Sequence, residues 1–311
     1  MSVRVRGLRP DDLAAADRVY RVAFGTLLGL AEPSTYRGDA DLIRSRARAY
    51  PDGAFVAELD GEIVGVSLAN NWGSLGVLGP VAVDPRHWHA GIAKQLLEPT
   101  VEVFERWQSR MIGLFTFPDP GHLRLYQGFG FWPRYLIAVM TKDVEDRAPM
   151  PESLALSANP AGRGALIEGC HILAAKVFPG LDLRREIDTV IGHALGEILV
   201  LCEGAQVTGF AICHCGRGSE GGSQSCYIKF ALVRPGADAA QLFAQLLAAA
   251  NGFARERVAR QLTAGVNAGR HRAHRHLVES GFRTLLQGVA MHRPWGEAYD
   301  RPEVFALDDW R

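Results

Sequence analysis

"VAVDPRHWHAGIAKQLL", residues 81–97, decides how this chain is read. Val81-Ala82-Val83 is an apolar run of strand type, Asp84-Pro85 ends it, and a basic turn containing Gly91 follows. From there Ile92, Leu96, Leu97, Val101 and Phe104 recur at helical spacing. A strand, a glycine turn and an amphipathic helix in that order aim free backbone N–H groups and the positive end of a helix dipole at the turn. That arrangement suits a phosphate. Gly91 and Ala93 leave room for close approach, Lys94 adds charge in the first helical turn, and Arg86 and His87 stand nearby. An ordinary turn before a helix is the competing reading.

The same layout recurs without the glycine in "LVRPGADAAQLFAQLL", residues 232–247. Val83-Asp84-Pro85 aligns with Val233-Arg234-Pro235, an offset of 233 − 83 = 150. Working outward, each copy is preceded by a hairpin pattern. One is "AFVAELDGEIVGVSLA" (54–69), turning at Asp60-Gly61, and the other is "ILVLCEGAQVTGFAIC" (198–213), turning at Glu203-Gly204. Each helix is followed by a short strand, "MIGLFTF" (111–117) or "RQLTAGV" (260–266). Each copy then closes with a helix and a Gly-Phe step, Gly130-Phe131 or Gly281-Phe282. Two copies of one α/β unit therefore fill the chain, with residues 1–145 as the first domain and 146–311 as a linker and the second. The linker, 143–164, is rich in Pro, Gly and charge. "GRGSEGGSQS" (216–225) lacks the Lys-Ser/Thr ending of a phosphate loop and reads as a flexible surface loop.

Lys plus Arg and Asp plus Glu both total 34, so the formal net charge is zero, which argues against a nucleic-acid binder. The first residues lack the apolar core of a secretory signal, and no apolar run reaches membrane-spanning length. The expectation is a cytoplasmic protein with no membrane partner. The five cysteines, Cys170, Cys202, Cys213, Cys215 and Cys226, read as reduced structural thiols. Strand alternation puts Cys213 and Cys215 on one face without a second tight ligand pair, so no metal is expected.

The order of hairpin, strand, Val-x-Pro, small-residue loop, amphipathic helix, short strand and helix with Tyr-x-x-x-Gly-Phe resembles the GNAT acetyltransferase superfamily. The resemblance covers residues 3–142 and returns, degraded, over 165–295. The family's loop pattern is Gln/Arg-x-x-Gly-x-Gly/Ala; here it reads Trp88-His89-Ala90-Gly91-Ile92-Ala93, with Trp88 in place of Gln or Arg. The resemblance implies a mixed α/β (α+β) fold of two tandem GNAT-like acyltransferase domains, the first binding acetyl-CoA as cosubstrate. It implies that the backbone of Val81, Ala82 and Val83 pairs with the pantetheine arm, and that the loop from Trp88 to Lys94 holds the pyrophosphate. It also places Tyr126 beside the thioester sulfur, as the acid that protonates the departing thiolate.

Other positions stay open. Tyr126 also reads as a half-buried helix aromatic. Asp119 stands where the family often has asparagine, and equally reads as the cap of the following helix. His122 is the best side-chain candidate for a base, against a solvated helix histidine or a water relay. In the second copy Gly91 becomes Gln241, Ala93 becomes Phe243 and Tyr126 becomes Leu277, so that copy reads as a structural or substrate-lining domain without a cofactor site. Its "GRHRAHRHL" (269–277) reads as a solvated basic helix face. The implied activity is direct acetyl transfer to the amine of a small molecule or peptide. The alternative is a non-catalytic CoA-binding or interaction protein, and a homo-oligomer is compatible with either. The acceptor side would draw on residues 24–42, on "FTFPDPGH" (115–122), and on Phe24, Tyr36, Trp72 and Phe117.

Overall fold

The computed structural model describes residues 3–146 and 153–311; residues 147–152 of the expected linker lie outside the described residues. The first half runs β1 (Arg4–Gly7), α1 (Leu13–Leu27), α2 (Leu42–Ala49), β2 (Ala54–Leu59), β3 (Glu62–Trp72), β4 (Leu75–Val83), α3 (Ile92–Arg106), β5 (Met111–Thr116), α4 (Pro120–Gln127) and β6 (Trp132–Asp143). The second runs β7 (Leu154–Ala155), α5 (Arg163–Val177), α6 (Arg184–Gly192), β8 (Gly196–Glu203), β9 (Gln206–Gly216), β10 (Gly222–Val233), α7 (Ala239–Glu256), β11 (Gln261–Asn267), α8 (His271–Glu279) and β12 (Arg283–Arg293). A short β13 (Ala306–Leu307) follows. The two hairpins form where turn chemistry requires them. Asp60 and Gly61 both take positive φ, +50° and +85°, which a two-residue turn between twisted strands needs.

The strands make one mixed sheet in the order β1-β2-β3-β4-β5-β12-β6-β11-β10-β9-β8-β7, with β13 added to β10. Exchanging β1–β6 for β7–β12 leaves that order unchanged when it is read backwards, so the halves are related by a pseudo-two-fold. The symmetry has a consequence for the domain boundary. β12 of the second half pairs with β5 of the first, and β6 of the first pairs with β11 of the second. Each half thus lends its last long strand to the other, and β6 and β12 pair with each other at the centre.

α3 buries its Ile92, Leu96, Leu97, Val101 and Phe104 stripe on one sheet face, where α4 also packs through Tyr126. α7 buries Leu242, Phe243, Leu246, Leu247 and Phe253 on the equivalent face of the second half, with α8 beside it. The other face carries α1 and α2, and there the halves share a core. Trp72, Leu75, Val77 and Met111 join Ile198, Phe210, Phe230 and Leu232, with α5 and α6 alongside. Burial of this kind contributes roughly 1.5–3 kcal/mol per large apolar side chain.

Residues 216–225 are not a surface loop. Ser219 and Glu220 are fully buried, and the loop docks on the first half through Gly218 N to Asp39 O, Asp41 N to Ser219 O and Ser223 N to Asp39 Oδ1. Its glycines, with φ of +109° at Gly216, +79° at Gly218 and +67° at Gly222, make the tight turns that aim Glu220 inward. There Glu220 pairs with Arg46 at 2.8 Å and with Lys229 at 2.6 Å, and Lys229 also pairs with Glu186 at 2.8 Å. All four are buried, so removing any one strands a charge in the interior. The basic face of 269–277 is solvated in part only. Arg270 is fully buried and forms a two-pronged pair with Asp308.

The five cysteines are free, and all but Cys202 are buried. Among the described residues no group of three or more His, Cys, Asp or Glu side chains is arranged to hold a metal ion. No helix of the described residues is long and apolar enough to cross a membrane.

Candidate functional site

β4 and β5 run parallel and pair from Leu75–Met111 as far as Leu78–Leu114; beyond that they part. A bulge at Gly79-Pro80 shifts the register of β4 against β3, so that Val81 faces Ser67 where Leu78 faces Ala69. Past the bulge, Asp84 N donates to Val64 O in β3. By strand alternation Ala82 also turns its backbone to β3, while Val81 and Val83 turn theirs to the gap left by β5. The three residues expected to meet a pantetheine arm therefore divide into two that face the cleft and one that does not.

The loop after β4 is built as an anion cradle would be. Gly91 (φ +78°) is the N-cap of α3, and His89 (φ +66°) also sits in the left-handed region, an uncommon and strained conformation for a residue with a side chain. Trp88, His89, Ala90, Gly91 and Lys94 are exposed, and Ile92 is buried beneath them with Ala93 half-buried. A Cβ at Gly91 would meet nothing within 4 Å, so the loop's surface is open there. The Trp88 indole donates from Nε1 to the Val83 carbonyl at 2.7 Å and ties the loop back to the strand. Arg86 is not free to reach a phosphate. Its guanidinium is held on Asp84, at 3.1 and 3.0 Å, with Glu62 at 3.6 Å, and His87 lies in the short turn behind it.

α4 contributes Tyr126 to the core cluster that also holds Leu78 and Leu114, the last β4–β5 pair. The ring is buried with Leu78, Leu114 and Phe131, and burial pushes the phenol well above its ordinary value. A phenol held protonated is suited to donating a proton rather than accepting one. Asp119 is the cap of α4. Its Oδ1 accepts from Gly121 N at 2.8 Å and His122 N at 3.1 Å, and the His122 amide leads the groups that hold its carboxyl below the usual range. His122 is half-buried on α4.

On the opposite face, α1 and the segment after it assemble an aromatic group. Phe24 stacks on Tyr36 at 5.9 Å and touches Phe117 at 6.3 Å, and Phe117 meets Phe115 edge-on at 5.7 Å. Arg21 fixes the segment by donating to the carbonyls of Tyr36, Gly38 and Ala40. Trp72 does not join this group. Its Nε1 donates to Glu186 at 2.9 Å in the core between the halves, with Phe230 edge-on.

The second half has the same parting of strands, after Ile228–Ala264, with its bulge at Lys229. Here the gap is filled by the chain itself. β13 pairs with β10 through Ala231–Leu307 and Leu232–Ala306, and Val233 N donates to Phe305 O. On the 150 offset these are the partners of Val81, Ala82 and Val83. Phe305 packs on Phe243 at 5.3 Å, α7 begins at Ala239, so that Gln241 is already helical, and Leu277 is buried where the first half has Tyr126. The sequence reading put the loss of this cleft on bulky loop residues; β13 is a more immediate cause.

Comparison with known proteins places the fold. Residues 20–131 match the Acetyltransferase (GNAT) family, and the chain as a whole has a tandem GNAT-like fold. Its structure is similar over 99% of its length, and 95% of the other chain's, to a putative acetyltransferase from Pyrococcus horikoshii (TM-score 0.72, 15% identity). It is similar over 93% and 95% to a GCN5-related N-acetyltransferase from Sphaerobacter thermophilus (TM-score 0.60, 18% identity). A tandem GNAT protein from the clavulanic acid biosynthesis pathway aligns over 94% and 98% (TM-score 0.60, 13% identity). No curated protein matches the sequence significantly.

Trp310, which lies at the parting of β4 and β5, was missed by the sequence reading. The signal for it was a glycine inside a strand, Gly113 in "MIGLFTF", where a Cβ would stand 2.5 Å from the Trp310 ring.

Proposed function

We propose that the first half binds acetyl-CoA and transfers its acetyl group directly to the amine of a small molecule or peptide. The observation that carries this reading is the contrast between the two clefts. One has a β4 edge that no strand covers at Val81 and Val83, with only the Val83 carbonyl taken by Trp88, leading to an open glycine loop, and the other has the same edge covered by β13.

In this reading the backbone of Val81 and Val83 holds the pantetheine arm, and the N–H groups from His89 to Ala93 hold the pyrophosphate, with Lys94 adding charge. The amine approaches from the face that carries Phe24, Tyr36 and Phe117 and attacks the thioester carbonyl. As the tetrahedral adduct collapses, the C–S bond breaks and the Tyr126 hydroxyl gives its proton to the leaving sulfur. The proton lost by the amine passes to solvent, by way of His122 or water, and Tyr126 regains a proton from solvent before the next turnover. The second half contributes packing and, through its last residues, part of the acceptor face.

The test is thiol release from acetyl-CoA against a panel of aromatic, aliphatic and peptide amines. Amine-dependent release with a stoichiometric acetylated product supports the reading. Tight acetyl-CoA binding with no transfer to any amine favours the non-catalytic alternative.

A further inference from the structure

The parting of β4 and β5 is held by residues that no loop motif contains. The first amide of β5 past the Leu78–Leu114 pair, Phe115 N, donates to the Trp310 carbonyl at 3.1 Å. The first carbonyl of β4 past that pair, Gly79 O, accepts from Arg46 Nη1 at 3.0 Å, and the same guanidinium binds the Arg311 carbonyl. Both strands have thus given their next ladder partner to something else. The Trp310 ring, fully buried, sits in the socket left by Gly113, and a Cβ placed on Gly79 would stand 3.5 and 3.8 Å from the Arg311 and Trp310 backbone.

The segment that arrives here is anchored on both sides. β13 is paired with β10, Asp308 is held by Arg270 and by Tyr299 at 2.7 Å, and Asp309 accepts from Tyr227 at 3.0 Å. Trp310 itself takes a φ of +50°, a conformation disfavoured for a bulky residue and kept only where its surroundings over-determine it.

From this we infer that Trp310 is a positioning residue of the first half's cleft. Donated by the second half, it acts with Arg46 of the first half as a wedge that keeps β4 and β5 apart. Without the Trp310 segment, Phe115 N is released, and without Arg46 the Gly79 carbonyl is, so that the parallel ladder can extend and narrow the gap. This rests on the proposed acetyl-CoA site for its functional consequence, but not for its geometry.

Two variants of the full chain test it, Trp310→Ala, which removes the ring, and Gly113→Ala, which drives the ring from its socket. Phe253→Leu, on α7 and remote from the cleft, serves as a control for destabilisation, compared at equal distance below each melting temperature. The expected result is a rise of at least tenfold in the acetyl-CoA dissociation constant for both cleft variants and less than twofold for the control. Hydrogen exchange over 111–117 gives a readout independent of acetyl-CoA and is expected to change in the cleft variants alone. If the parent binds no acetyl-CoA, the proposed function fails while this exchange readout still decides the wedge. Unchanged exchange over 111–117 in whichever cleft variant folds overturns the inference, as does a dissociation constant within twofold of a binding parent. An equal rise in the Phe253→Leu control also overturns it.

Discussion

Trp88 Nε1 donates to the Val83 carbonyl at 2.7 Å, and this bond ties the turn before α3 to the open edge of β4. The residue that departs from the family's loop pattern therefore has a place of its own. It uses one carbonyl on the cleft side of β4 and leaves the Val81 groups and the Val83 N–H to a ligand. Trp88→Phe removes the donor while keeping a ring. Such a bond contributes about 1 kcal/mol to holding the loop, so a loop released by its loss must be re-ordered on binding and acetyl-CoA affinity should fall by up to about fivefold. Titration calorimetry checks this, and an unchanged affinity would detach Trp88 from the site.

The strand exchange predicts how the halves behave apart. A chain ending near residue 145 leaves β6 without β11 and β12, and deprives β5 of its antiparallel neighbour. Such a fragment should be poorly soluble and inactive, since it exposes strand edges and apolar surface. Co-expression with the complementary fragment should restore a soluble complex. A soluble, fully active first-half fragment would contradict this.

Local signals in the sequence carried much of this fold, and its long-range pairings were hidden. Asp60-Gly61, the helical stripes and the Gly-Phe steps each report on a few neighbouring residues, and each marks an element that formed. The alternation of β6 or β12 says which face is buried, but not which neighbour the strand chooses, so the exchange was invisible. Gly113 and Gly265 were legible in principle, as glycines inside strands mark close approach. Trp310 lies against the first and Asp309 against the second. Glu220 was hidden by its Gly and Ser neighbours, whose turns serve a buried ion pair rather than mobility.

Acid should loosen the protein through His214. Its ring is fully buried, its Nδ1 faces the Glu220 amide at 3.4 Å, and burial lowers its pKa from 6.5 to about 4. A histidine with a depressed folded value is neutral in the native state while the unfolded chain takes up a proton. Its contribution is therefore intact above pH 6.5 and lost as pH falls toward 4. By linkage the loss at pH 4.5 is about 2–3 kcal/mol. His214→Gln should flatten that part of the stability curve measured by chemical denaturation between pH 7 and 4.5. An equally steep curve in the variant would assign the acid sensitivity elsewhere.

Tyr126→Phe should lower kcat by roughly tenfold to a few hundredfold and leave acetyl-CoA affinity nearly unchanged, as expected for a proton donor used only in the transition state. Because burial raises the phenol above its ordinary value, the parent should show no loss of rate from this group up to about pH 10. Pre-steady-state rates read the chemical step directly. An unchanged chemical step in the variant would remove Tyr126 from that role.

Calorimetric titration with acetyl-CoA of the parent chain and of Gly91→Gln tests the central claim most directly. Gly91 holds a φ of +78° at the mouth of an open loop, so glutamine there strains the backbone and places a side chain over the N–H groups. The account predicts one acetyl-CoA per parent chain, bound to the first half, and a loss of at least ~2 kcal/mol in the variant. Two acetyl-CoA per parent chain, or undiminished binding by Gly91→Gln, would contradict it.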